Sequence, residues 1–492
     1  MEEQSMKKIF NYIPAAIACF LTLESCDSAL EVKPRLAVDL ASAYNSPEAL
    51  SAALNGVYDI LQSTDLYGRD LVAIPEALAD NGRATNKSGR LNAEFQNQVG
   101  AHFINWSNAY VAINRANIIL KNLPASSAPQ ATKDAIEGQC LFLRGLLYFD
   151  LMRAYAYTPR AVVTAQNLGG VPLLLEGVTG LDQVTLPPRA SIDDCYKQIA
   201  ADLTKSIEKL TNTDTRFVRP FFASRAAAQA LLSRVSLYAG NWADVVRLST
   251  DALAGGVGVF QTTPTAYVSA WRAASHPESM FELSYQANEN IGVNLSLQTT
   301  YTTLRTLGLR TATAGFGDLV PTNDLLSELG ITRTGDVITR GNDARALLYE
   351  LGTAGRGPAE VETTKFLGKS GQVNQDNVPV IRISEMFLNR AEANYELGNF
   401  AEALADVNRI RTRAGLTALE STVTGPALLT EILRQRRLEF AFEGHRFFDL
   451  KRRGLDLVKQ PRSIAFTDFV ILARIPTGQI SLNPNLKQNF GY

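Results

Sequence analysis

Residues 230–246 read ALLSRVSLYAGNWADVV, and residues 388–404, 158 positions further on, read LNRAEANYELGNFAEAL. In each stretch a helical pattern runs into Gly-Asn-aromatic (Gly240-Asn241-Trp242 and Gly398-Asn399-Phe400), and a second helical pattern follows. A glycine can end the first helix in a left-handed cap that a Cβ would strain, and the aromatic wedges between the two helices. Ala391, Tyr395, Gly398 and Ala403 fall at tetratricopeptide-like offsets. Helix hairpins of this type stack because each buries the apolar face its neighbour leaves open. The expected fold is mainly α, a tetratricopeptide-like helical-repeat superhelix.

Upstream of the first repeat the pattern stays helical. Leu50, Leu54, Val57 and Ile60-Leu61 recur at spacings of three and four from Pro47 onward. Further helices are predicted over Phe103–Leu123, closed by Pro124, and over Thr132–Tyr157, and another begins at the capping-box-like Ser191-Ile192-Asp193-Asp194. Between the repeats the helical period fades, and Gly, Thr, Asn and Pro cluster at Gly255-Gly256, Thr299–Thr303, Gly315-Phe316-Gly317 and Gly352–Pro358. Met280–Tyr285 alternates as a short strand does. An irregular, loop-rich insertion with short strands is therefore expected within the helical scaffold, and such insertions are where ligands bind. The predicted layout is an address segment at 1–25, a helical part at 26–254 and the insertion at 255–380. Helices follow at 381–455, and an extended end at 456–492.

Composition narrows the function. The 492 residues carry 48 Lys+Arg against 49 Asp+Glu, a net charge of −1, which leaves no basic excess to attract nucleic acid. Cysteines at 19, 26, 140 and 195 and histidines at 102, 276 and 445 form no zinc spacing, so neither a metal site nor a cofactor is expected. Cys140 and Cys195 read as buried thiols, in a context that permits a bridge without requiring one.

The N-terminus reads as an address. Met6-Lys7-Lys8 supplies positive charge, Ile9–Leu23 is mostly apolar, and Leu23-Glu24-Ser25-Cys26 ends the run with a small residue before a cysteine. Fifteen residues broken by Asn11 and Pro14 are too short to span a bilayer, which takes about 20. The stretch resembles a bacterial lipoprotein signal, with Cys26 the acylated first residue of the mature chain.

Catalytic signatures are missing. Gly368-Lys369-Ser370 resembles the end of a phosphate-binding loop, but Thr363 stands where that motif needs glycine. Gly256-Val257-Gly258 and Gly315-Phe316-Gly317 lack the third glycine of a dinucleotide fingerprint. Paired carboxylates for glycoside hydrolysis are defined by a spatial separation of about 5–9 Å that chain spacing does not report. Most Asp and Glu here fall on polar helix faces. No catalytic residue is predicted.

The sharpest local sequence is RRLEFAFEGHRFFDL, residues 436–450. Glu439, Glu443, His445 and Arg446 could be read as an acid/base cluster. Alternating charges beside the Gly444 break are better explained as caps that lock a helix hairpin through charge-assisted hydrogen bonds. The segment resembles the C-terminal hallmark of SusD/RagB-like proteins, the surface nutrient-binding lipoproteins of Bacteroidota. The resemblance continues through Trp106 with Tyr110, Ile113–Asn117, Arg144-Gly145, Gly169–Pro172, Asp343–Arg345, Lys365-Phe366, Ile381–Glu385, Ala391–Ala393 and Asn483–Asn489. Phe490 stands where the family often has proline.

That resemblance implies a non-enzymatic receptor, lipid-anchored in the outer membrane and facing the exterior. It would close like a lid over a SusC-like TonB-dependent transporter. The ligand it implies is an oligosaccharide, with a peptide as the alternative within the family. A cell-surface glycan hydrolase and a purely structural adaptor are the rivals from other classes. Ligand candidates are Asp80, Asn81 and Arg83, in a loop where family members often place binding residues, with Phe95 at the end of the polar stretch that follows. Tyr301 and Phe316 in the insertion could stack on the apolar face of a pyranose. Trp106, Trp242 and Trp271 read as packing.

Overall fold

Helix punctuation in this chain is written locally, and the same device appears in both repeats. The computed structural model describes residues 44–211, 216–369 and 371–492; the address segment and Cys26 lie outside them. At the first repeat the amides of Gly240 and Asn241 donate to Leu237 O and Ser236 O. At the second, Gly398 and Asn399 donate to Tyr395 O and Asn394 O. This is the same double closure, with Gly240 at φ 78° and Gly398 at φ 81°. Phe400 then packs on Tyr395 (5.6 Å between ring centroids), while Trp242 is half-buried beneath the Arg160 guanidinium.

The scaffold helices are α1 (Pro47–Leu61), α2 (Asp70–Leu78), α3 (Trp106–Asn122), α4 (Gln130–Tyr155) and α5 (Ile192–Lys209). They continue as α6 (Arg225–Ala239), α7 (Trp242–Ala254), α8 (Ile383–Glu396), α9 (Phe400–Arg413), α10 (Gly425–Glu439) and α11 (Arg446–Arg452). From α3 to α10 each packs on the next, so the two repeats adjoin through α7 and α8 although the whole insertion separates them in sequence. This is the tetratricopeptide-like superhelix. Its starts are capped as sequence suggests: the Ser191 hydroxyl accepts from the Asp194 amide and the Ser224 hydroxyl from Ala227. Cys140 and Cys195 are free, buried thiols.

Short antiparallel strand pairs staple the insertion. Strand β2 (Ser279–Leu283) pairs with β8 (Val378–Arg382), which ties its entry to its exit beside α8. Strand β1 (Gly82–Ala84) pairs with β3 (Leu319–Pro321) in the register Arg83↔Val320, carrying the loop after α2 across to the insertion. Two further pairs are β4 (Ile331–Thr334) with β5 (Val337–Arg340), and β6 (Tyr349–Leu351) with β7 (Val361–Thr363). A large apolar core runs through scaffold and insertion alike, from Leu50 to Leu486, and a small second cluster around Ala391, Val407 and Ile432 lies among α8, α9 and α10.

Candidate ligand-binding surface

The charged hallmark is framework. Helix α10 ends at Glu439, and the chain reverses through Phe442 (φ 65°) and Gly444 (φ 83°) before α11. A Cβ on Gly444 would lie 2.4 Å from Leu71 O, so glycine is required where this turn presses on α2. Glu439 pairs with Arg413 at 2.6 Å and Arg382 at 3.0 Å, and Glu443 with Lys365 at 2.6 Å and Arg382 at 2.7 Å. Burial alone would raise the Glu439 carboxyl; the guanidiniums of Arg413, Arg382 and Arg345 outweigh it and hold the group well below the usual carboxylate range. His445 stacks on Phe440 (4.6 Å), and burial pushes its pKa well down, so it is neutral. These are fixed charges inside a hairpin lock.

The same lock claims two of the expected ligand residues. Arg446 grips Asp80 with two bonds, of 2.6 and 2.8 Å. Asn81 is fully buried; its amide donates to Glu76 (2.9 Å) and its oxygen accepts from Arg437 (2.9 Å). Asp80 and Asn81 therefore anchor the hallmark to the loop after α2, which corrects their expected role as ligand contacts. Tyr301 requires the same correction. It is fully buried, its hydroxyl donates to Val72 O, and its ring packs against Phe366 and Phe442, so neither face is open. Phe95 is half-buried, with the Lys459 ammonium 5.1 Å from its ring centroid.

Arg83 and Phe316 remain at the surface, and the β1–β3 pairing brings their loops together. Arg83 forms a partly exposed ion pair with Glu360 (2.9 Å) at a hollow of about 320 Å³. Phe316 sits between two glycines pressed into the fold: a Cβ on Gly315 would lie 2.1 Å from Thr302 O, and Gly317 has φ 61°. The amides of Phe316 and Gly317 both donate to Thr299 O (3.0 and 2.9 Å), and Thr85 donates to Gly317 O. The half-buried ring is thus rigidly mounted. Two guanidiniums lie over it, Arg90 at 4.3 Å and Arg356 at 3.8 Å. Arg90 is held by Asp318 (2.9 Å) and Asn294 O, whereas exposed Arg356, among the described residues, bonds only a backbone oxygen, Gly315 O at 3.0 Å. The ring is thus overlaid by guanidiniums, and the exposed Arg356 donors that this stack holds in place suit a hydroxyl-bearing ligand.

Sequence reasoning missed Arg90 and Arg356. Arg90 lies within the polar stretch before Phe95 and could have been added; Arg356, in a glycine-rich loop, carries no local signal.

Comparisons with known proteins agree with this architecture. The SusD family model matches residues 360–462, and a model described as starch-binding, associating with outer membrane, matches residues 29–237. Together they cover more than half of the chain. A SusD-like protein of Formosa agariphila is 22% identical over 520 residues, 96% of each chain. The starch-binding protein SusD of Bacteroides thetaiotaomicron is 29% identical over 195 residues, 34% of each chain. The crystal structure of a SusD superfamily protein of Bacteroides thetaiotaomicron superposes with a TM-score of 0.78 at 26% identity, covering 90% of this chain and 99% of that one.

Proposed function

Since the chain belongs to the SusD/RagB-like family, we propose that it is a carbohydrate-binding protein of the outer membrane that captures oligosaccharide and delivers it unaltered to a SusC-like TonB-dependent transporter. Cys26 carries the lipid anchor, and the chain faces the cell exterior. The observation that carries the binding reading is the Phe316 platform, an aromatic ring held rigid by its two glycines with the Arg90 and Arg356 guanidiniums lying over it. Exposed Arg356, spread over the ring, would offer a saccharide the outer face of its guanidinium and donors for its hydroxyls. The ion pairing of Glu439 and Glu443 inside the hallmark supports binding over hydrolysis, because carboxylates locked to arginine and lysine are poor general acids.

Affinity electrophoresis through gels containing individual polysaccharides tests this. At least one glycan should retard the protein, without release of reducing ends. Retardation by none, or glycan turnover, would overturn the proposal. Pull-down of the detergent-extracted protein should recover a TonB-dependent β-barrel in near-equal amount; recovery of the lipoprotein alone after gentle crosslinking of intact cells would remove the transporter from it.

A further inference from the structure

Helix α1 has two faces. Leu50, Leu54, Val57, Tyr58 and Leu61 are buried, while Glu48, Ser51, Asn55, Asp59 and Gln62 repeat at spacings of three and four along the other side. An ordinary surface helix turns such a polar stripe to open solvent. Here it faces a wall of Phe217, Val218, Phe221 and Phe222 across two adjoining hollows. The hollows measure about 540 and 480 Å³ and share Asn55 and Phe222, so together they form one groove along α1. Each falls within the roughly 300–1,000 Å³ of ligand pockets, and the 15-residue helix gives the groove a length of ~22 Å.

The wall is rigid. Phe222 meets Tyr58 edge-on at 5.0 Å and Phe217 at 5.2 Å, and Tyr58 is fixed through its hydroxyl to Gln139. Part of the stripe is free: Ser51 donates to Pro47 O and Gln62 to Ser284 O, but among the described residues Glu48, Asn55 and Asp59 have no side-chain partner in the fold. Aromatic side chains on one side and the unpaired amide and carboxylate groups of Asn55, Glu48 and Asp59 on the other match an oligosaccharide, which offers apolar C–H faces and a dense series of hydroxyls. Charge sets the class. Glu48, Asp59 and Glu289 edge the groove against Arg216, which is engaged by Thr132 and Ala131 O, so an anionic glycan would be repelled.

We propose that the groove between α1 and residues 217–222 is a second saccharide site, separate from the Phe316 platform, that takes a neutral oligosaccharide. It does not depend on ligand binding at Phe316.

The test is calorimetric titration of the purified full chain carrying Phe316→Ala with cellohexaose, xylohexaose, laminarihexaose, maltohexaose and mannohexaose in turn. At least one should bind, with increased hydrogen-exchange protection over residues 217–222. Adding Asn55→Ala with Asp59→Ala should weaken that binding at least fivefold, the loss expected for two hydrogen bonds. The melting temperature should hold, because both side chains are exposed and alanine favours the helix. Failure of every hexasaccharide to bind the Phe316→Ala protein, or equal binding by the triple variant, would overturn the second site. So would preferential binding of hexagalacturonate or of a tryptic peptide mixture. Should the Asn55/Asp59 changes abolish barrel co-purification and leave glycan binding intact, the groove is a protein-docking face and the proposal is wrong. Complete loss of binding on Phe316→Ala alone removes the second site and leaves the first in place.

Discussion

Replacing Glu392 by Gln probes the packing of the second repeat against the hallmark. Glu392 is fully buried in α8; Arg452 donates to its two oxygens at 2.7 and 2.6 Å, and Arg453 adds a bond of 2.6 Å. Burial alone would raise this carboxyl, but the two guanidiniums outweigh it and bring the group from 4.5 to about 2. At about 1.4 kcal/mol per unit this displacement contributes roughly 3 kcal/mol of stability. The sign follows from the depressed folded value: the contribution is complete above the unfolded value of 4.5 and disappears as pH falls through about 2. Breaking a buried ion pair costs about 3–5 kcal/mol, consistent with that figure. After substitution Arg452 keeps Asp449 at 2.9 Å and Arg453 keeps Glu396 at 3.5 Å, which favours the lower end. An unfolding entropy of about 2.1 cal/mol/K per residue over about 450 residues converts 3 kcal/mol into a melting-temperature drop of ~3 °C. Urea unfolding followed by circular dichroism should place Glu392→Gln about 3 kcal/mol below wild type at pH 7, with the gap narrowing to about 1.4 kcal/mol at pH 3. A gap under about 1 kcal/mol at pH 7, or one unchanged between the two pH values, would refute the assignment of Glu392 as a strongly stabilised buried anion.

Tyr301→Ala should destabilise by about 3–5 kcal/mol as a core truncation, whereas Phe316→Ala should leave the melting temperature nearly unchanged and weaken glycan binding three- to tenfold in affinity electrophoresis, the worth of about one aromatic contact. Burial pushes the Glu76 carboxyl up to about 7, so wild type should lose stability as pH rises from 4.5 through about 7, and Glu76→Gln should flatten that slope in denaturant titrations. Gly398→Ala places a Cβ at φ 81° in open space, so its cost should be purely conformational, about 1–2 kcal/mol by urea unfolding. Labelled palmitate should enter the wild type and not Cys26→Ala; equal labelling of both would exclude Cys26 as the anchor.

The helical repeats, their glycine closures and the serine caps were all legible in the chain itself. Each depends on contacts within a few residues or on the period of an apolar face, and both are written in order along a sequence. Tyr301, Asp80 and Asn81 were not legible in this way. Polar and aromatic residues in an irregular loop look alike whether they meet a ligand or the protein, and the partner decides. For Asn81 that partner is Arg437, 356 positions away; for Tyr301 it is Val72, 229 positions away. The Phe316 platform likewise exists because β1 crosses to β3 and carries Arg90 over a ring far along the chain. The groove beside α1 was visible only as an amphipathic pattern; that its polar side looks onto phenylalanines instead of water is a fact of tertiary packing. Burial and pairing of loop side chains are set by contacts distant in sequence, so local pattern determined the scaffold and the assembled fold alone decided which surfaces remain free to bind.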